Sequence, residues 1–285
     1  MVFSFRLLSL LPLRLLHFLG ACLGRAAYHL VPRYRCLTIE NLTRAGMDSP
    51  ALRRAAAAEA GRAVLELPKL WMRPQAEVVA RVVQVSGWSL VEDAWSAGKG
   101  ILFLTPHLGC FEITAQYYAS FRPMTVLYRR PKHASLVPLI ERGRGANLRL
   151  AAADMSGVRA LLKALRSGEA AGMLPDQVPG AGEGVWAPFF GRPAYTMTLA
   201  ARLAGTGATV LLAYAERLPR GAGYHLRLFP FAADRSGTVE QQATQINAAL
   251  EDLIRRCPQQ YAWGYNRYKR PRGAPPAPLA GEGAA

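Results

Sequence analysis

Acidic residues are scarce in this chain: 19 Asp and Glu stand against 35 Lys and Arg, a formal net charge of +16 over 285 residues. A field of that sign favours anionic partners such as nucleic acid, an anionic bilayer, a phosphorylated lipid or an acidic carrier protein. Lysine is also rare, occurring only at positions 69, 99, 132, 163 and 269. The positive charge is therefore nearly all guanidinium, the better fork for phosphate oxygens. Cys22, Cys36, Cys110 and Cys257 have neither metal-ligand spacing nor a compact disulfide pattern, so no zinc site is implied. They read as reduced, small apolar residues of a cytosol-facing protein. No uninterrupted apolar run reaches the roughly 20 residues of an unambiguous membrane span. GxSxG, HExxH and Walker loops are missing too, so serine hydrolase, zinc protease and P-loop readings lose their main support.

What the chain does have is apolar mass: 51% hydrophobic residues and only 19% charged. It is dense at the start. Residues 1–31 are leucine-rich and carry no acid, but Arg6, Arg14 and Arg25 interrupt them. The longest clean stretch, Leu15 to Gly24, would be about 15 Å of helix, half the hydrocarbon thickness. At 100° per residue Arg6, Arg14, His17 and Arg25 share an arc of about 100°. Such a helix suits the headgroup plane of an anionic membrane, arginines toward phosphate. Spanning would bury an arginine at about 2.5–3.5 kcal/mol. Arginines inside the stretch argue against a cleaved signal peptide. Residues 1–31 are thus expected to be a permanent membrane-associated helix, with an ordinary packed amphipathic helix as the alternative and Pro32, Arg33 and Arg35 marking its exit.

Beyond it, helix and strand alternate. Residues 50–72 read as a helix broken near Pro68, 78–85 as a strand, and 89–97 as a helix. Ile101–Leu104 is a short buried strand entered through Gly98-Lys-Gly100, followed by a helix over 110–120 and a strand over 124–128. Helices are expected over 135–142, 157–166, 196–204 and 238–256, and strands over 170–174, 209–214 and 224–229. The fold class is therefore α/β, a single domain with a mixed central sheet flanked by helices. The Pro-, Ala- and Gly-rich tail from 271 to 285 is expected to be disordered.

The strongest local feature is the strand Ile101–Leu104 emptying through Thr105-Pro106 onto His107, with Glu112 five residues on. In one continuous helix those side chains would lie about 140° apart and share no face. If Pro106–Gly109 is a loop feeding a helix, His107 can turn back so that Glu112 accepts its second ring N–H. A carboxylate there fixes the tautomer and makes the imidazole a better base. The end of a strand is where α/β sheets place ligands. Taken bare, a histidine and a glutamate five apart more often belong to structure than to catalysis.

Further blocks give the pair its standing. Thr105-Pro-His107-Leu-Gly-Cys-Phe-Glu112 resembles the His-x4-Asp/Glu motif of glycerolipid and lipid A acyltransferases. Leu127-Tyr-Arg129 with Glu141-Arg-Gly-Arg144, then Leu174-Pro-Asp176-Gln177, then Pro188 to Thr196, then Pro258-Gln-Gln-Tyr-Ala-Trp263 with Arg267-Tyr-Lys269, are similar to successive blocks of the bacterial late lipid A acyltransferases. Gly-Cys-Phe stands where many relatives have Gly-Asn-Trp, and the anchor is more interrupted than the family's usual one. The Phe-Pro-Glu-Gly phosphate motif of glycerol-3-phosphate-type enzymes is absent.

The resemblance implies an acyltransferase domain over 32–270 and a place at the inner membrane with that domain on the cytoplasmic side. It implies acyl carrier protein as donor, a phosphorylated glycolipid of the lipid A precursor type as acceptor, and no metal or nucleotide cofactor. His107 and Glu112 are the expected catalytic pair. Arg144 is expected to bind acceptor phosphate or developing charge, or to be a solvated helix arginine. Asp176 is expected to pair with such an arginine or to hold the site's shape. Arg129 contacts phosphate or merely flanks a strand. Phe189, Phe190 and Gly191 are expected to shape the acyl groove or core, and Arg267 and Lys269 to meet anions or solvent. Another acceptor, such as an aminolipid or a glycosylated phospholipid, stays open. So does a non-enzymatic basic membrane- or nucleic-acid-binding protein, although the spread of the arginines speaks against a nucleic-acid module.

Overall fold

The structure is a computed structural model that describes residues 2–129, 147–232, 234 and 236–278. In chain order its elements are α1 (Val2–Leu10), α2 (Leu13–Leu30), α3 (Pro32–Arg44), α4 (Pro50–Met72), α5 (Gln75–Val79), β1 (Val82–Ser86), α6 (Ser89–Ser96), β2 (Ile101–Leu104) and α7 (Phe111–Ala119). There follow β3 (Met124–Tyr128), β4 (Leu148–Ala152), α8 (Met155–Arg166), β5 (Ala170–Met173), β6 (Gly184–Phe189), β7 (Arg192–Met197), α9 (Leu199–Ala204), β8 (Thr209–Arg217), β9 (Tyr224–Pro230) and α10 (Val239–Arg256). The helix expected over 135–142 lies outside the described residues.

Seven strands form one sheet in the order β1-β9-β8-β2-β5-β3-β4, and β6 and β7 form a separate antiparallel hairpin. All neighbours in the large sheet run parallel except β8 and β9. The mixed α/β sheet expected from the alternation is therefore present. Strand periodicity divides the interior into two cores. On one face Leu102, Leu104, Val210, Leu212 and Tyr214 pack with residues of α8, α9 and α10. On the other, Ile101, Phe103, Leu211, Ala213 and Ala215 pack with α6, α7 and the ends of α2 and α4. The central strand β2 is buried at all four residues, as its unbroken apolar run requires.

Four expectations change. The N-terminal segment is two helices, parted at Leu11-Pro12, and α3 begins with Pro32 at its first turn, where the missing N–H costs nothing. Pro68 sits inside α4 without ending it. Residues 78–85 divide between α5 and β1. Residues 192–197, partly assigned to a helix, form β7. The β6–β7 turn is Phe190-Gly191, both with positive φ, the two-residue geometry that matches strand twist.

α2 lies directly on α4. A Cβ on Gly61 of α4 would fall 1.9 Å from the Gly20 carbonyl oxygen of α2, and one on Gly24 would fall 2.0 Å from the Ala57 oxygen. Only glycine permits backbones this close. Leu13, Leu16, His17, Gly20, Ala21, Gly24 and Tyr28 form the buried stripe of α2. His17 therefore leaves the arginine face to which helical spacing assigns it: it is buried, while Arg6, Arg14 and Arg25 are exposed. Also exposed on α1 and α2 are Phe3, Leu7, Leu10, Leu15, Phe18, Leu19, Leu23 and Leu30, Phe18 at 65% and Leu30 at 78%. Among the described residues no helix is long and apolar enough to cross a membrane.

Candidate active site

β2 and β5 are parallel neighbours, so their C-terminal ends open at the same edge of the sheet. From β2 the chain passes Thr105 and Pro106 to His107; from β5 it passes Leu174 and Pro175 to Asp176. Asp176 is 2% exposed. Its Oδ2 accepts the His107 backbone N–H at 2.9 Å, and its Oδ1 lies 2.7 Å from His107 Nδ1. Burial pushes the Asp176 pKa up, but the His107 imidazole and its hydrogen bonds, with Arg267 beyond, hold it below the usual carboxylate range. An ionised carboxylate only accepts, so Nδ1 carries a proton, and in the neutral ring Nε2 has the lone pair. The imidazole side chain keeps 20% of its surface exposed. The Gln177 amide nitrogen stands 3.0 Å from Nε2, and Phe111 packs against the ring at 4.9 Å between centroids.

The histidine's backbone is stitched down on both sides. Its carbonyl accepts the Ala262 N–H at 3.1 Å, Gly109 N–H donates to the Gln260 carbonyl at 3.1 Å, and Cys110 N–H donates to the Ala215 carbonyl of β8 at 2.7 Å. Gly109 has φ +62, and a Cβ there would fall 2.1 Å from the Ala215 oxygen. The loop can thus approach β8 only as glycine.

The expected residues divide accordingly. His107 lies on a loop after a buried strand, and Glu112 lies in the first turn of α7, as the spacing requires. The bond to the second ring nitrogen that the spacing gives to Glu112 is made by Asp176, whose carboxylate folds in from the neighbouring strand. Glu112 Oε2 accepts the Trp71 indole N–H at 3.2 Å. Arg129 is exposed at the end of β3, and Arg144 lies outside the described residues. Arg267, weighed as an anion contact, is buried at 2%: it donates to the Tyr195 carbonyl at 2.8 Å and to Thr196 Oγ1 at 2.7 Å, tying the C-terminal segment to the β6–β7 hairpin. Lys269 is exposed, with Nζ 5.3 Å from the centre of the Tyr265 ring. Phe189 and Phe190 belong to the core. Among the described residues no cluster of His, Cys, Asp and Glu could hold a metal ion.

Sequence reasoning missed Arg217 and Glu66, and it quoted Gln177 and Gln260 within their blocks without giving either a role. Arg217, at the end of β8 and 4% exposed, donates to Glu66 of α4 at 2.9 Å and to the Gly109 carbonyl at 2.6 Å. The one available signal was Glu66 itself, an acid amid the apolar residues of α4.

The family model described as bacterial lipid A biosynthesis acyltransferase matches residues 1–270. The chain is 27% identical over 274 residues to the lipid A biosynthesis lauroyltransferase of Escherichia coli, covering 93% of this chain and 89% of that one. It is 28% identical over 274 residues to the lipid A biosynthesis palmitoleoyltransferase of the same organism, covering 92% and 88%. A lipid A biosynthesis acyltransferase of Shigella flexneri matches equally, at 28% over 92% and 88% of the two chains. The match runs from the exposed apolar helices through the His107–Asp176 edge to the C-terminal stitch, so the chain belongs to the bacterial lipid A biosynthesis acyltransferase family.

Proposed function

We propose that this protein moves a fatty acyl chain from an acyl-carrier-protein thioester to a hydroxyl of a phosphorylated lipid A precursor, with His107 as general base. The observation that carries the reading is the polarised imidazole: Nδ1 bound to a buried, ionised Asp176, Nε2 met by the Gln177 amide, and a fifth of the side chain open. The acceptor hydroxyl gives its proton to Nε2 as its oxygen bonds to the thioester carbonyl carbon. The tetrahedral intermediate then collapses, the C–S bond breaks, and the imidazolium returns the proton to the departing sulfur. Asp176 holds the tautomer and stabilises the imidazolium. The Gln177 amide on Nε2 marks the position the acceptor hydroxyl takes. Glu112 belongs to the same centre as a second carboxylate whose direction is set by Trp71. Arg129 and Arg144 are assigned to acceptor phosphate.

The exposed apolar residues of α1 and α2, interleaved with Arg6, Arg14 and Arg25, are assigned to the headgroup region of the inner membrane's cytoplasmic leaflet. The positive net charge suits an acidic carrier protein as well as an anionic lipid surface. The test is acyl transfer in vitro from carrier thioesters of several chain lengths to candidate phosphorylated glycolipids, read by mass spectrometry. Transfer is expected from the unaltered protein. His107→Ala should abolish it while leaving the fold and vesicle binding intact, and a well-folded His107→Ala protein that still transfers acyl groups refutes the assignment.

A further inference from the structure

The carbonyl of Gly109, two residues past the proposed base, is held by a buried charge. Arg217 Nη2 donates to it at 2.6 Å, Arg217 Nε donates to Glu66, and Nη1 lies 3.5 Å from Glu59 of the same helix. Both Glu66 oxygens are taken up: Oε1 by Arg217, Oε2 also by His17 Nε2 of α2 and by the Tyr224 hydroxyl, each at 3.0 Å. Burial pushes the Glu66 pKa up, yet the Arg217 charge and the Arg217 and His17 hydrogen bonds bring it down to about 2. Glu66 is therefore an ion, and His17 Nε2 is a donor. Gln260 clamps the same arginine from the other side: its Oε1 accepts the Arg217 N–H at 2.8 Å, its Nε2 donates to the Arg217 carbonyl at 3.0 Å, and its own carbonyl holds Gly109 N–H. A second link reaches α7. Phe5 of α1 stacks on Trp71, whose indole N–H meets Glu112.

We infer that Arg217 is a positioning residue for the 107–110 loop, and that α1 and α2 are working parts of the catalytic centre through His17–Glu66–Arg217–Gly109 and Phe5–Trp71–Glu112. This rests on His107 being the base. The two helices are not a detachable anchor. The glycine contact between α2 and α4 brings His17 within reach of Glu66, so the segment that presents the exposed apolar surface also fixes the guanidinium that holds the loop. A buried arginine satisfied by carboxylates alone would need no backbone carbonyl. Spending one N–H on Gly109 sets the height of the loop against β8, and with it the position of the His107 imidazole.

The experiment uses the full chain with anionic phospholipid vesicles, a carrier thioester and the phosphorylated glucosamine-disaccharide acceptor. Arg217→Lys keeps the charge opposite Glu66 but cannot serve Glu66 and Gly109 with one planar fork. It should lower kcat by about 10- to 100-fold, the cost of misplacing a reacting group by about 1 Å, with KM for both substrates within about twofold. Arg217→Gln combined with Glu66→Gln removes both charges and should show the same split, covering the case in which the single variant does not fold. His17→Leu, which removes one donor and adds no charge, should lower kcat by about 3- to 10-fold with vesicle binding unchanged. The exposed Arg54→Lys serves as control. Folded Arg217 variants with unchanged kcat, a change confined to KM, or loss of His17→Leu activity only in step with vesicle binding would each overturn the inference. If His107→Ala is inactive while Arg217→Lys runs at full rate, only this inference falls. If His107→Ala is active, the reading of the base falls first.

Discussion

Asp176→Asn tests the centre most directly, because it changes no shape and only one acceptor. The aspartate serves two donors from one histidine, the ring Nδ1–H at 2.7 Å and the backbone N–H at 2.9 Å. Asparagine has a single acceptor oxygen and an NH2 group. If the oxygen stays on the backbone N–H, the NH2 faces Nδ1, the ring proton moves to Nε2, and the lone pair proposed to take the acceptor's proton is gone. If the amide flips, its NH2 opposes the backbone N–H in a buried place, at a cost of about 1–3 kcal/mol. The first arrangement is cheaper, so the wrong tautomer should dominate and the imidazolium should lose its counter-charge. A loss of about 10³–10⁴-fold in kcat is expected, comparable to the known cost of the same exchange in a serine protease triad. Stability should change by no more than about 2 kcal/mol. Acyl transfer followed by mass spectrometry gives the rate, thermal melting the fold, and ¹⁵N shifts of the His107 ring the tautomer. A folded variant that retains more than about a tenth of the parental kcat, or whose ring keeps its proton on Nδ1, would show that Asp176 does not set the base.

Three other outcomes follow from the packing. Gly61→Ala places a Cβ 1.9 Å from the Gly20 carbonyl, a backbone atom that cannot swing away, so α2 must lift off α4. A loss of about 1–3 kcal/mol in denaturant unfolding and a parallel fall in kcat are expected, and wild-type values for both would refute the close packing. Glu66 has a folded pKa of about 2 against an ordinary value of 4.5, so the unfolded state binds its proton first. With Arg217 in place, the stability that depends on this ionisation is present above pH 4.5 and is lost as the pH falls toward 2, in the same direction as the lowered Asp176. Urea midpoints between pH 6 and 3 check this, and the slope should flatten in the paired Glu66→Gln, Arg217→Gln protein. Phe18→Ser with Leu23→Ser removes two exposed apolar side chains of α2, each worth about 1.5–3 kcal/mol when fully buried. If the proposed membrane contact is right, vesicle flotation should weaken at least about tenfold with the fold intact, and unchanged flotation would refute the assignment of α2 to it.

The frame of the sheet was legible because β2, β3, β5, β8 and β9 are short apolar or β-branched runs with turn residues between them. The His107–Glu112 spacing demanded a loop and then a helix, and both are present. Asp176 could be placed at the end of a strand, but not beside His107. The two are 69 residues apart, and only the insertion of β5 between β2 and β3 makes their strand ends adjacent. The same limit hid Arg217 and Glu66, 151 residues apart. His17 misled through geometry: helical angle groups it correctly near the arginines, but angle does not say which side of a cluster meets water, and a buried carboxylate 49 residues on decided that. β6 and β7 escaped because Pro188 and Pro193 demote a strand reading, whereas an isolated hairpin tolerates prolines where no ladder N–H is needed. Pro68 was read as a break, yet α4 is held past it by Gln116, which donates to the Leu70 carbonyl near its end.

Glu59, Glu66, Asp176, Arg217 and Arg267 are all less than 9% exposed. A buried ion pair seldom repays its desolvation, and replacing both partners by uncharged groups is often neutral or stabilising. A core selected for stability alone would have little use for so many. Four of these five groups lie on the residues that carry the 107–110 loop or the His107 ring, the exception being Arg267, which holds the hairpin and C-terminal segment behind Asp176. What the charges contribute is direction: each fixes an N–H or a carbonyl in a place that apolar contact, which has no preferred angle, would leave free. On that reasoning stability and rate should separate when Glu66 and Arg217 are neutralised together. The paired variant should melt near the parental temperature and still transfer acyl chains slowly, because the loop has lost its bond and the core has lost only a cost.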